Sequence, residues 1–121
     1  MKINIKVAGF ELTPSLGVYI ENKLSNLSKL IKRFDKEGAA ELWLDISRTT
    51  RHHRKGGVFR AEADLRLPKK ILRAQKEAGD IRAAIDVVKD MLRLEIDKYK
   101  TRFGKIRRTK TAYPVGNGEK I

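Results

Sequence analysis

The residues of this chain best suited to chemistry are its cations, and they are clustered. Lys and Arg number 28 against 15 Asp and Glu, a formal net charge of +13 with a pI near 10.2. Arg48 to Lys55 holds four positive residues and two histidines with no acid, and Lys98 to Lys110 holds seven positive residues with no acid. Outside these two stretches 17 basic residues face 15 acidic ones, so the excess is local. Charge that serves solubility is ordinarily dispersed and mixed in sign. A concentrated excess is expected to meet an acidic polymer, whose phosphates it neutralises through charge-assisted hydrogen bonds and counterion release.

A third set of cations is hidden in a helical period. At ~100° per residue, Arg82, Lys89, Arg93 and Lys100 share one flank of a helix, with Asp86 and Asp97 beside them. Lys29, Lys32 and Arg33 likewise lie off the apolar stripe of an earlier helix. With Arg51, His52, Arg54 and Lys55 of the first cluster, and Lys98, Lys100, Arg102, Lys105, Arg107 and Arg108 of the second, these are the candidate residues for binding an acidic polymer. The plainer reading is that long cationic side chains solvate exposed helix faces. The concentration of the charge favours a binding surface.

Other chemistry finds little to work with. His52 and His53 are the only histidines, and neighbours in extended chain point to opposite sides, so they are poorly placed to chelate one ion. The absence of cysteine excludes disulfides, thiolate metal sites and a thiol nucleophile. No serine sits in a glycine-rich elbow, and Gly56-Gly57 is a turn signal, not a phosphate cradle. Glu62 and Asp64 share a strand face, as solvated carboxylates commonly do in so charged a chain. Neither catalysis nor a metal or cofactor is expected. Trp43 could stack a base, but Glu41 and Asp45 beside it would repel phosphate, so it is expected to serve packing or to sit at an edge.

The elements that must position the cations follow from hydrophobic period. Ile81, Ala84, Ile85, Val88, Leu92, Ile96, Tyr99 and Phe103 form one helical stripe. Asp80 is its expected N-cap and Gly104 its expected stop. Thr13-Pro14 caps an earlier helix whose stripe is Leu16, Ile20, Leu24, Leu27, Ile31 and Phe34. Alternation predicts strands at Lys2 to Val7, Ala40 to Arg48 and Val58 to Leu67, with a short one from Ile71 to Gln75 after a turn at Pro68-Lys69-Lys70. The order β-α-β-β-β-α makes the first two strands parallel and the rest antiparallel hairpins. The result is an α+β two-layer sandwich, a four-stranded sheet with both helices on one face. Val87, Met91 and Leu94 extend the long helix's apolar surface and are expected to pack beside the first helix. The open sheet face is expected to be mixed to acidic.

At 121 residues the chain reads as one domain, over 1–104, followed by a basic tail at 105–121 expected to be disordered. No apolar run approaches the ~18 residues of a membrane span, and Met1-Lys2-Ile3-Asn4 opens no signal peptide. A cytoplasmic location is expected.

Several segments in this order resemble the ribosome hibernation-promoting factor family, which includes protein Y, the ribosome-associated translation inhibitor. They are Ile3-Asn4-Ile5, Glu11-Leu12-Thr13-Pro14-Ser15-Leu16, Val58-Phe59-Arg60-Ala61-Glu62, Leu72-Arg73-Ala74 and, most specific, Asp80-Ile81-Arg82-Ala83-Ala84-Ile85-Asp86. The resemblance spans Met1 to about Arg102. It implies a fold like a double-stranded-RNA-binding domain and a non-enzymatic role. Members of the family bind rRNA of the small ribosomal subunit in the channel used by mRNA and the anticodon ends of tRNA, and keep idle ribosomes inactive. The implied partner is therefore the small subunit, with no small-molecule substrate, no membrane, and a monomer off the ribosome. A stand-alone structured-RNA-binding or RNA-chaperone module is the alternative. Family members usually carry Tyr at the position of Arg82, a basic residue at Met91 and Arg-Gln at Leu94-Glu95, so their contacts at Met91 and Leu94 are not carried over. The sequence shows no counterpart of the second domain of the family's long forms, and a short form is expected.

Overall fold

The computed structural model describes residues 1–32, 35, 38–49 and 58–108, with side chains described as far as Arg102. Six elements follow in the expected order: β1 (Lys2–Ala8), α1 (Pro14–Ile31), β2 (Glu41–Arg48), β3 (Phe59–Leu67), β4 (Lys70–Ala78) and α2 (Ile81–Arg108). The sheet runs β1-β2-β3-β4. β1 pairs parallel with β2, and β2-β3 and β3-β4 are antiparallel, as the chain order requires.

Sequence period becomes burial with little loss. In α1 the residues Leu16, Ile20, Leu24, Leu27 and Ile31 are buried, and in α2 Ala84, Ile85, Val88, Leu92 and Ile96. They meet Leu42, Leu44 and Ile46 of β2 and Ala61, Ala63 and Leu65 of β3, which all belong to the same apolar cluster. The small alanines of β3 leave room for the larger α2 side chains, since a helix resting on a sheet must be matched in volume to stay close-packed.

Local chemistry fixes the ends. Thr13 accepts a hydrogen bond from the Leu16 amide at 3.2 Å, with Pro14 at the first helical position. Asp80 accepts from the Arg82 amide at 3.2 Å, which satisfies an otherwise orphaned donor at the start of α2. Gly9 turns the chain from β1 toward α1 with φ +84°, and a Cβ there would stand 3.0 Å from the Arg48 carbonyl oxygen, so a larger residue would be both strained and crowded. Asp35 closes the far end of α1 by accepting from the Ala40 amide at 2.8 Å and pairing with the Met1 amine at 3.1 Å. Burial pushes its carboxyl up, but these hydrogen bonds and the amine's charge outweigh burial and hold it below its usual 3.8.

Four expectations are corrected. α2 runs through Gly104 to Arg108, because the favourable hydrogen bonding of a helix already propagating exceeds the ~1 kcal/mol that one glycine costs. β4 extends from Lys70 to Ala78, well past Gln75, since every one of its residues finds a partner in β3. Val87, Met91 and Leu94 are exposed and do not pack beside α1. The flank of α2 that meets α1 is the polar one carrying Arg82 and Asp86. Trp43 is neither packed in the core nor at an edge. It stands 43% exposed on the open face of the inner strand β2.

Candidate nucleic-acid interface

α1 and α2 lie side by side and run in the same direction, because Ser15 and Tyr19 of α1 meet Arg82 and Asp86 at the start of α2. The seam between them is built from polar groups. The Tyr19 hydroxyl donates to Asp86 Oδ1 at 2.6 Å, and Lys23 Nζ pairs with the same oxygen at 3.7 Å. Arg82 Nη2 donates to Ser15 Oγ at 3.2 Å while its guanidinium lies 4.9 Å over the Tyr19 ring. Lys23 approaches that ring at 5.5 Å. The hydrogen bond to Asp86 is the main reason that the Tyr19 phenol is pushed up to about 12. Burial and the Asp86 charge add to it, and Arg82 opposes it.

Asp86 therefore works as an anchor. It holds one tyrosine and one lysine, and by fixing Tyr19 it sets the platform on which Arg82 rests. The contact with the Tyr19 ring and the hydrogen bond to Ser15 hold the charged head of Arg82 in one place at the surface. Farther along the same flank come Lys89, Arg93 and Lys100, with no ion pair among the described residues. Lys29 and Lys32 are exposed at the end of α1. Lys23 belongs to this surface, although sequence reasoning missed it. Its i, i+4 spacing from Tyr19 was the available signal.

The remaining candidate residues divide. Lys98 pairs with Glu95 at 3.2 Å and, with Arg102, borders a small recess formed with Lys70 and Leu72 of β4. That is the opposite flank of α2 from Arg82, so these two are not part of the seam. Lys105, Arg107 and Arg108 lie in the last turns of α2, with side chains outside the described residues. Arg33, Arg51, His52, Arg54 and Lys55 also lie outside them.

The open sheet face is different in kind. Across the strands Lys2 stands opposite Glu41, which stands opposite Arg66. The next rows set Lys6 beside Asp45 and Glu62, Asp64 beside Arg73, and Arg60 beside Glu77. Cross-strand neighbours of opposite sign neutralise each other, so this face is mixed and close to balanced. Trp43 donates to Glu41 Oε1 at 3.0 Å, and Arg66 covers its ring at 5.2 Å. A shallow hollow of about 310 Å³ lies here, bordered by Asn4, Trp43, Asp45, Glu62, Asp64 and Arg66. Lys6 also borders it, and its three carboxylates outnumber the two cations Lys6 and Arg66, so it is a poor seat for phosphate. Among the described residues the sheet face is thus mixed in sign, and the Arg82 flank of α2 is the more cationic of the two.

Residues 3–103 match the model of the family described as sigma 54 modulation protein / S30EA ribosomal protein. The chain belongs to that family. The match runs through all six elements, and the expected kinship with hibernation-promoting factors holds. Ribosome hibernation promotion factor of Lactococcus lactis subsp. cremoris is 30% identical over 118 residues, which cover 96% of this chain and 57% of that protein. The protein of the same name from Deinococcus radiodurans is 31% identical over 105 residues, covering 87% of this chain and 52% of that one. The chain therefore spans a little more than half the length of these relatives. Among solved structures, the N-terminal domain of Thermus thermophilus protein Y superposes with a TM-score of 0.64 at 27% identity, covering 82% of this chain and 99% of that domain. A ribosomal subunit interface protein from Coxiella burnetii, at 20% identity and a TM-score of 0.61 over 84% of this chain and 99% of that one, shares the fold.

Proposed function

We propose that this protein is a ribosome-associated hibernation factor and translation inhibitor. It binds rRNA of the small ribosomal subunit in the channel used by mRNA and tRNA, and keeps idle ribosomes inactive by occupying that channel. The observation that carries the reading is the family match from β1 to α2, with two relatives named ribosome hibernation promotion factor. The basic seam of α1 and α2 supports it. Folded rRNA offers closely spaced phosphates and few accessible base edges, and a surface of directed cations recognises phosphate and shape rather than sequence. The role is one of binding, without catalysis, and its setting is the cytoplasm, where ribosomes work. The described residues contain no helix long and apolar enough to cross a membrane.

Sedimentation tests the reading. In extracts of starved cells the protein should move with small subunits or intact ribosomes, and purified protein should compete with mRNA or tRNA for isolated small subunits. Protein that stays at the top of the gradient overturns the proposal. Equal affinity for small subunits and for unrelated folded RNA would assign it instead to a stand-alone RNA-binding or chaperone role.

A further inference from the structure

We propose that the outer edge of β4 and the exposed flank of α2 together form a docking surface for a second copy of this chain, giving a two-fold dimer whose sheet continues from β4 to β4. The inference is independent of the ribosomal reading and departs from the monomer expected from sequence. Its starting point is a flank with the wrong chemistry for solvent. Val87, Met91 and Leu94 recur at helical spacing on α2 and are 36%, 37% and 62% exposed. Exposed Ala83 lies on the same side of the helix. Beside this flank runs β4, nine residues long and the last strand of the sheet. Among the described residues no strand covers this edge, and its charges, which ordinarily guard an edge against indiscriminate pairing, restrict it to a partner of matching charge beside the apolar strip.

Three features point to a second copy as the occupant. The first is hydrogen-bond parity. The Ala78 carbonyl accepts from the Val58 amide, so Ala78 turns its backbone groups toward β3, and by alternation Arg73, Gln75 and Glu77 turn theirs to the free edge. An antiparallel pair centred on Gln75 brings these outward residues opposite one another. The second is charge. In that register Arg73, which pairs with Asp64 of its own copy at 3.5 Å, also stands opposite Glu77 of the other copy, twice over by symmetry, and Glu77 has Arg60 as its cross-strand neighbour but forms no ion pair among the described residues. Lys76, the one inward-facing charge near the centre of this edge, falls opposite Ala74, a small residue its stem can cover.

The third feature is level. Gln75 lies three residues before the end of β4, or roughly 10 Å at ~3.3 Å per residue. α2 runs back over the strand at ~1.5 Å per residue, so about six or seven residues past Ile81 it stands above Gln75, which is the position of Val87. The axis would thus bring Val87 against its own mate, with Met91 near Ala83 of the other copy. α2 rests on both β3 and β4. Strands ~4.8 Å apart then separate the two α2 axes by roughly 10 Å, close to the ordinary spacing of packed helices. The flank used is opposite the one that carries Arg82 and Lys89.

The test is light scattering on nuclease-treated, purified full chain, fractionated at several concentrations in moderate salt. Mass should rise toward that of a dimer with concentration. Higher salt should not dissolve the dimer, since it screens the repulsion between two chains of net charge +13. Met91→Glu, and separately Arg73→Glu or Glu77→Arg, should each weaken dimerisation about tenfold or more. The decisive arm mixes the last two variants. Each alone places like charges across the axis, whereas together they should form a heterodimer, and the double variant R73E/E77R should dimerise again. Circular dichroism confirms that each variant is folded. A chain that stays monomeric at all concentrations overturns the proposal. So does a dimer indifferent to Arg73 and Glu77, or one that Met91→Glu alone disrupts without rescue by charge exchange. A monomeric wild type whose Met91→Glu variant loses ribosome binding would assign this flank to the ribosome instead.

Discussion

Asp86 shows how one carboxylate can prepare a cationic surface. It accepts a hydrogen bond from Tyr19 and forms an ion pair with Lys23, and the position of Arg82 over the ring depends on where Tyr19 is held. The effect is measurable through the phenol. Because Tyr19 is pushed from 10.0 up to about 12, its contribution to stability is fully present below pH 10.0 and is lost as pH rises through about 12. In a spectroscopic titration one tyrosine should ionise near 12, and Asp86→Asn should move that step down, since the charged acceptor that penalises phenolate is gone. A step that stays in place would show that Asp86 is not what holds Tyr19. Sequence alone placed Arg82 correctly on an exposed flank but could not show that it would stack on Tyr19, because the two residues are far apart in the chain and only the parallel packing of α1 and α2 joins them. The spacing of Lys23 four residues after Tyr19 is legible in the sequence, whereas its pairing with Asp86 is not.

At the scale of elements, period was the dependable guide and polarity the weaker one. The stripe of α2 was legible because Ala84, Ile85, Val88, Leu92 and Ile96 repeat at the helical interval and all become fully buried. Which neighbour lay on each side of the stripe was not legible. Apolar Val87, Met91 and Leu94 suit a helix–helix contact, yet α2 meets α1 through Arg82 and Asp86, because the buried stripe settles on the sheet with that flank turned toward α1. The end of α2 was misjudged because a single glycine is a weak stop. β4 was read as too short because Lys76 interrupts the alternation on an edge where solvent tolerates it. Leucines in α2 make the distinction testable. Leu92→Ala should destabilise the fold by about 2–5 kcal/mol, as deletion of a buried side chain does. Leu94→Ala, two residues away, should change stability by no more than about 0.5 kcal/mol. Urea denaturation at a concentration low enough to keep the chain monomeric would measure both, and similar losses would refute this placement of the stripe.

Taken as a whole, the molecule separates its charge by face, and that separation is what a net charge of +13 does not reveal. The helical side carries Lys89, Arg93 and Lys100 free of ion pairs among the described residues, whereas on the sheet Arg60 and Arg73 pair with Glu62 and Asp64 and Lys2 and Lys6, without an ion pair among the described residues, stand directly beside Glu41 and Asp45. Changing Lys89, Arg93 and Lys100 to Gln removes three charges from the helical side, and changing Lys2, Lys6 and Arg60 to Gln removes three from the other. Neither set touches the core, so both variants should fold. If binding to the small subunit depended on net charge alone, the two would weaken it equally. A located interface instead predicts a large loss for the helical set, with the log–log salt slope falling by roughly 0.7 to 0.9 for each phosphate contact removed. The sheet set should leave the slope nearly unchanged, because its cations are already balanced by neighbouring carboxylates. Equal losses, or a greater loss from the sheet set, would place the RNA on the open face and overturn the assignment of the helical seam, even with ribosome binding itself confirmed.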